Sequence, residues 1–190
     1  MARKKKIDVP KVEEENINAH IIGAGDVVEQ FITETLETNY MPYAMSVIMS
    51  RAIPEIDGLK PSHRKLLYTM YKMGLLTGRL TKSANVVGST MKLNPHGDAA
   101  IYETMVRLSE GYQALLHPFV ASKGSFGKAY SRDMAYAASR YTEAKLDPFC
   151  AELFNGIDKD AVDFIPNYDN TMQEPVLLPT TFPNVLVTPN

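Results

Sequence analysis

The chain has 190 residues, 45% of them hydrophobic, with 20 basic and 22 acidic side chains and a formal net charge of −2. That length buries one good core with an appended piece, and no apolar run approaches the length of a membrane span. Cys150 stands alone, which excludes a disulfide framework within the chain and fits a reducing, cytoplasmic setting.

The start, MARKKKIDVPKVEEEN, has a charged front but no apolar stretch behind it, unlike a secretory signal. Residues up to about Ala24 read as a polar arm, with Arg3, Lys4, Lys5 and Lys6 forming a solvated basic cluster. A helix is predicted from Asp26, with Glu29 completing a capping box and Val28, Phe31, Ile32 and Leu36 at helical spacing. Pro42 is placed to open a second helix, carried by Met45, Ile48, Met49 and Ala52 until Pro54 stops it. After the turn IDGLKP, a third helix begins near Ser62. Its residues Leu66, Leu67 and Met70 face inward, and Lys65, Thr69 and Lys72 line an exposed face opposite.

The stretch SANVVGSTM reads as a short helix and KLNPHG as a loop. Asp98 then caps a helix running to about Glu110, with Ile101, Met105 and Leu108 inward and Gly111 as the stop. Two short helices on a tight linker resemble a helix-turn-helix. From Tyr112 to Tyr136, Ser122, Gly124, Ser125, Gly127 and Ser131 suggest a loop or a wing of short strands. Another helix is predicted over Asp147 to Asn155, and the tail EPVLLPTTFPNVLVTPN reads as extended pieces broken by prolines. The class is α+β, mainly helical.

Charge is segregated. Between Asp57 and Asp98 there is no acid, yet there are seven cations: Lys60, Arg64, Lys65, Lys72, Arg79, Lys82 and Lys92. His63 and His96 add two partial ones. From Val12 to Asp57 the balance reverses, with nine acids against Arg51 alone. Such an island suggests a surface for a polyanion, nucleic acid first; a solvated basic helix face is the alternative.

The four histidines (His20, His63, His96, His117) are scattered without zinc-ligand spacing. Neither a phosphate loop ending in Lys-Ser or Lys-Thr nor a serine nucleophile elbow is present. That leaves Arg140-Tyr141, where a phenol beside a guanidinium could attack a phosphate. A phenol is a poor nucleophile at its ordinary pKa of about 10 and needs a nearby cation or metal. On residues alone, a structural tyrosine beside a salt-bridged arginine is the commoner arrangement.

The segments YAMSVIMSRAIPEIDGLKPSHRKLLYTM, NPHGDAAIYETMVRLSE, GSFG and AASRYTEAKLDPF, in that order, resemble the breakage-reunion subunit of bacterial type IIA topoisomerases, the A subunit of DNA gyrase or of topoisomerase IV. The resemblance runs from about Tyr40 to the last residue. It implies an arm and first helix over 1–38, a winged-helix DNA-gate domain over 39–170 and the start of a tower domain over 171–190. Tyr141 would form a transient 5′-phosphotyrosyl link and Arg140 would stabilise charge on the phosphate. Arg51, Lys60, His63, Arg64 and Lys65 match positions that grip the DNA backbone. His96 sits at the entrance of the recognition helix, where amides favour phosphate. Ala99 and Glu103 match the serine and acid that hold fluoroquinolones through a water–magnesium bridge.

The implied partners are double-stranded DNA, a second copy of the chain, and the B subunit of the same topoisomerase, in an A2B2 assembly. ATP and Mg2+ are implied on that partner, and no metal on this chain. Four departures stand out: Asn94 where histidine is usual, Ser125 for asparagine, Lys65 for arginine, and Ala99 for serine. Asn94 cannot carry charge, and Lys65 offers a point charge in place of a bidentate fork. A non-catalytic winged-helix DNA-binding paralogue, and a pure protein-interaction module, are the rival readings.

Overall fold

The computed structural model describes residues 29–188. The basic cluster at Arg3 to Lys6, the arm to Ala24, and Asp26 and Val28 of the first predicted helix lie outside the described residues. The chain divides into two units, residues 1–43 and 44–190.

In the first unit, Glu29 precedes the helix and takes no third position in a capping box. Helix α1, Ile32–Thr35, begins after Phe31, whose ψ of 139° is extended. A widened π-helical turn, Leu36–Tyr40, follows and closes with Met41 N–H donating to Leu36 O. Helix α2, Met41–Val47, then continues the chain through Pro42. Pro42 therefore sits inside a helical run and does not open one. It has no N–H to give, and the widened turn before it is where a helix tolerates that loss. The helical spacing of Phe31, Ile32 and Leu36 is real, yet all three are exposed, as are Tyr40, Met41 and Tyr43.

In the second unit, a π-helical turn at Ile48–Ala52 ends at Ile53, whose ψ of 133° is the extended backbone that Pro54 demands. Met45, Ile48 and Met49 are exposed as well. Helix α3, Pro61–Lys72, starts with proline in its first turn, where the missing N–H costs nothing. Leu66, Leu67 and Met70 are fully buried on it, as predicted. The face opposite is open only in part: Lys72 is exposed as expected, but Thr69 is buried and Lys65 half-buried, and Arg64 is buried as well. Helix α4, Ser83–Thr90, and helix α5, Asp98–Leu108, pack with α3. On α5 the inward residues are Ile101, Met105 and Leu108, as the spacing requires. Gly97 takes the cap position, while the Asp98 carboxylate accepts from Ala99 N at 2.8 Å. The helix stops at Ser109, short of Gly111, with the Ser109 hydroxyl donating to Val106 O at 2.8 Å.

The helices close over a three-stranded antiparallel sheet in the order β1 (Thr81–Lys82), β3 (Glu143–Leu146), β2 (Val120–Lys123). Residues Ala144 and Leu146 of β3 point into the core, at the period of two that strands impose. Asp147 caps the next turn through Phe149 N at 2.9 Å, and Pro148–Cys150 leads into α6, Ala151–Phe154. Cys150 is buried and donates to Phe119 O at 3.0 Å; burial pushes its thiol up to about 12. The tail forms a two-stranded pair, β4 (Phe164–Pro166) with β5 (Gln173–Pro175), and a 3-10 turn at Asn184–Leu186. Leu178 and Val187 join the core. The class is mixed helix and sheet, consistent with α+β. No helix among the described residues is long and apolar enough to cross a membrane.

Candidate active site

Tyr141 projects from the turn that enters β3, the central strand, and is 66% exposed. Its ring meets the Arg140 guanidinium, 4.7 Å from the ring centroid. The backbone beneath is fixed at several points. Ala137 N donates to Ser125 O at 2.9 Å, Ala84 N to Ser139 O at 3.2 Å, Tyr141 N to Ala138 O at 2.9 Å and Ser83 N to Thr142 O at 3.0 Å. Ser83 and Ala84 open α4, so two helix-end amides without intrahelical partners find them in the tyrosine turn.

Thr142 is fully buried and anchors the turn by its side chain. It donates to Ser83 Oγ at 2.8 Å. The Tyr102 hydroxyl lies 2.9 Å from Thr142 Oγ1 and 2.8 Å from Ala137 O. With the threonine proton given to Ser83, the single Tyr102 proton is shared between those two acceptors. Burial raises the Tyr102 phenol above its ordinary range. Gly124 and Gly127 let the neighbouring loop close in. At Gly127, with φ of +69°, a Cβ would collide with Met134 O, and at Gly124 it would press on Thr142. Glu143 is held by Lys82 at 2.9 Å and Lys123 at 3.8 Å, and the Lys82 contact lowers its carboxyl.

The cations fall into three environments. Arg51, Lys65, Asn94 and His96 line one cleft with Ala100 and Thr104 of α5. Lys60 and His63 line a second, of about 380 Å³, together with Arg107. Arg64 faces neither. Its Nε and Nη2 donate to the Asp57 carboxylate at 2.7 and 2.9 Å, and Nη2 also reaches Leu59 O at 3.2 Å.

This differs from the island of free charge read from the sequence. Acids from outside the island fold back onto it: Asp57 takes Arg64, Glu174 takes Lys65 at 3.1 Å and Glu143 takes Lys82. Lys65 further donates to Leu93 O at 3.0 Å. Among the described residues, Lys60, Lys72, Arg79 and Lys92 make no ion pair. Nor does His63 contribute charge. Burial first, then Lys60, Arg107 and Arg64, lower its pKa from 6.5 to about 4, and its Nδ1 is buried without a partner.

Ala99 and Glu103 are both exposed on α5, and Glu103 pairs with Arg107 one turn on at 2.9 Å. Asn94 is nearly buried beside His96. Four participants escaped the sequence reading: Ser83, Tyr102, Arg107 and Thr142. Only Arg107 left a trace there, four residues after Glu103 as helical ion pairs require. Hydroxyls that meet across 59 and 40 residues leave none.

An exposed arginine–tyrosine pair on a pinned turn, in a fold that also carries clefts lined with cations, is suited to a phosphate-bearing polymer. Residues 51–190 match the family model for the A subunit of DNA gyrase/topoisomerase IV, and the chain belongs to that family. It is 48% identical over 158 residues to the DNA gyrase A subunit of Mycolicibacterium smegmatis, covering 82% of this chain and 18% of that protein. Against the DNA gyrase A subunit of Helicobacter pylori (strain J99) it is 45% identical over 166 residues, 85% of this chain and 20% of the relative. The Halalkalibacterium halodurans protein of the same name is 44% identical over 164 residues, 85% of this chain and 19% of it. The chain thus spans about a fifth of the length of the curated relatives it matches.

Proposed function

We propose that this chain is the DNA-cleaving portion of the breakage-reunion subunit of a type IIA topoisomerase. Helices α4 and α5 form its helix-turn-helix and β2–β3 its wing. The observation that carries the reading is Tyr141 itself: a phenol free to reach a ligand, on a backbone that is not free, with Arg140 against its ring. The Tyr141 oxygen attacks a backbone phosphorus. The new O–P bond forms as the bond to the 3′ oxygen breaks, leaving the 5′ phosphate esterified to the tyrosine. The phenolic proton is released to solvent and the departing 3′ oxygen takes one up. One phosphodiester replaces another, so the free 3′ hydroxyl can reverse the step and reseal the strand. Arg140 stabilises charge on the phosphate in the transition state.

Arg51, Lys60 and His96 contact the DNA backbone, with Lys65 available if it leaves Glu174. Arg64 acts one step back, fixing through Asp57 the loop that carries Lys60. Among the described residues no group of three or more His, Cys, Asp or Glu is placed to hold a metal ion. Glu143, the carboxylate beside Tyr141 in sequence, is already paired with two lysines. Magnesium therefore does not fit these residues, and no step above passes through it. In this reading, the metal and ATP sites belong to a partner B subunit, and two copies of each chain come together in the cytoplasm.

The test uses the full-length protein with its partner, magnesium and supercoiled plasmid. A covalent adduct is expected on Tyr141 and is expected to vanish in Tyr141→Phe. An adduct that persists in that variant, or that maps to Tyr130 or Tyr136, overturns the assignment. The second reading, a DNA-binding paralogue without cleavage, draws on the uncharged Asn94; it predicts DNA binding with no adduct.

A further inference from the structure

We propose that Tyr102 is a positioning residue for Tyr141, acting through the buried hydroxyl of Thr142. The inference rests on the cleavage reading above and adds what holds the nucleophile in place.

Three hydroxyls from three parts of the fold converge directly below Tyr141: Ser83 on α4, Tyr102 on α5 and Thr142 on the turn itself. The Tyr102 hydroxyl spans both ends of the segment, touching Ala137 O on one side and Thr142 Oγ1 on the other. Tyr102 is 6% exposed and its ring is held edge-on by Tyr136 at 5.5 Å, so its hydroxyl has little room to move. The Tyr141 ring, by contrast, is exposed and rests against Arg140, its neighbour in the chain. The point from which the phenol reaches out is therefore set by the backbone from Ala137 to Thr142, and that backbone is pinned from α5. Nucleophilic attack requires the reacting atoms within about 3–3.5 Å and in line, and a misplacement of about 1 Å costs on the order of a hundredfold in rate. Tyr102 lies next to Glu103 on α5, so the helix that carries the drug-site positions is the helix that sets the nucleophile.

The experiment measures single-turnover DNA cleavage, religation after magnesium removal and DNA affinity for the full-length protein with its partner. Tyr102→Phe keeps the ring and removes the hydroxyl. Thr142→Val keeps the shape and removes the hydroxyl, while Thr142→Ser keeps the hydroxyl. Tyr102→Phe and Thr142→Val are each expected to slow cleavage and religation about ten- to a hundredfold, with DNA affinity within about twofold. Thr142→Ser is expected to restore the rate to within about threefold. The double variant should be slower by less than the product of the two single losses, since both variants remove the shared Tyr102–Thr142 contact.

Tyr102→Phe cleaving at the wild-type rate overturns the proposal. So does a loss confined to DNA affinity, a Thr142→Ser as slow as Thr142→Val, or additive losses in the double variant. Wild-type protein that forms no adduct, or an adduct that survives Tyr141→Phe, refutes instead the cleavage reading on which the proposal stands.

Discussion

Replacing Arg64 tests whether this cation serves DNA or the fold. The Asp57 side chain is 1% exposed and accepts four hydrogen bonds: two from Arg64, one from Leu59 N at 3.1 Å and one from Leu178 N at 3.1 Å. Arg64→Ala removes the two charge-assisted donors together with the bond to Leu59 O. It leaves a buried carboxylate with two amide donors and no counter-charge. Removing one partner of a buried pair costs about 3–5 kcal/mol, whereas a surface cation lost to alanine changes stability by within about 0.5 kcal/mol. The two roles thus differ by several kcal/mol, well beyond the error of a urea titration. Arg64→Ala is expected to lower unfolding free energy by about 3–5 kcal/mol with the m-value unchanged. In a cycle with Asp57→Ala, a coupling energy above about 1.5 kcal/mol is expected. A loss below about 1 kcal/mol, or no coupling, refutes the structural role and returns Arg64 to the DNA surface.

Three further outcomes follow from the same geometry. Arg51→Ala and Lys60→Ala should each flatten the salt dependence of duplex binding by about one unit of log–log slope; an unchanged slope in a binding titration removes that residue from the interface. His63 should make stability pH-dependent. Its folded pKa of about 4 lies below the unfolded 6.5, so its contribution is complete above pH 6.5 and is lost as pH falls through 4. At about 1.4 kcal/mol per pH unit, that gap caps the loss at about 3–4 kcal/mol. The difference in urea stability between wild type and His63→Gln isolates this term, and a flat difference from pH 7 to pH 4 rules it out. Finally, Ala99→Ser places a hydroxyl one turn before Glu103 on the exposed face of α5. In the full-length enzyme it should lower the fluoroquinolone concentration that stimulates cleavage, and an unchanged concentration defeats the bridging argument.

The helices of the core were legible because burial imposes a period. Leu66, Leu67 and Met70 on α3, and Ile101, Met105 and Leu108 on α5, all fall where spacing puts them. The same reasoning failed at Phe31, Ile32 and Leu36, which have the period without the burial. Periodicity reports an apolar stripe, and what covers that stripe lies outside the local sequence. Pro42 misled for a related reason: a proline signals a helix start unless a widened turn absorbs it. The charge island was legible as composition but only partly as surface, because Asp57, Glu143 and Glu174 pair three of its seven cations by tertiary contact. Arg140 and Tyr141 could be singled out because they are adjacent. The hydroxyls that hold them come from α4 and α5, and no local pattern joins those elements.

The order in which this chain can complete its fold is written into Asp57. Its carboxylate accepts from Leu178, 121 residues on, and its carbonyl from the Asn184 side chain, 127 residues on. Gly58, with φ of +74°, packs so tightly on that segment that a Cβ would lie 2.7 Å from Val185 N. Helices α3, α4 and α5 can gather as they emerge during synthesis, yet one wall around Asp57 is added only when the residues near 180 arrive. Until then the Asp57–Arg64 pair stands open to water on that side. That late segment is therefore a seal over the first part of the core, and a nascent chain arrested before it should be sensitive to protease near Gly58 while its helices are already in place.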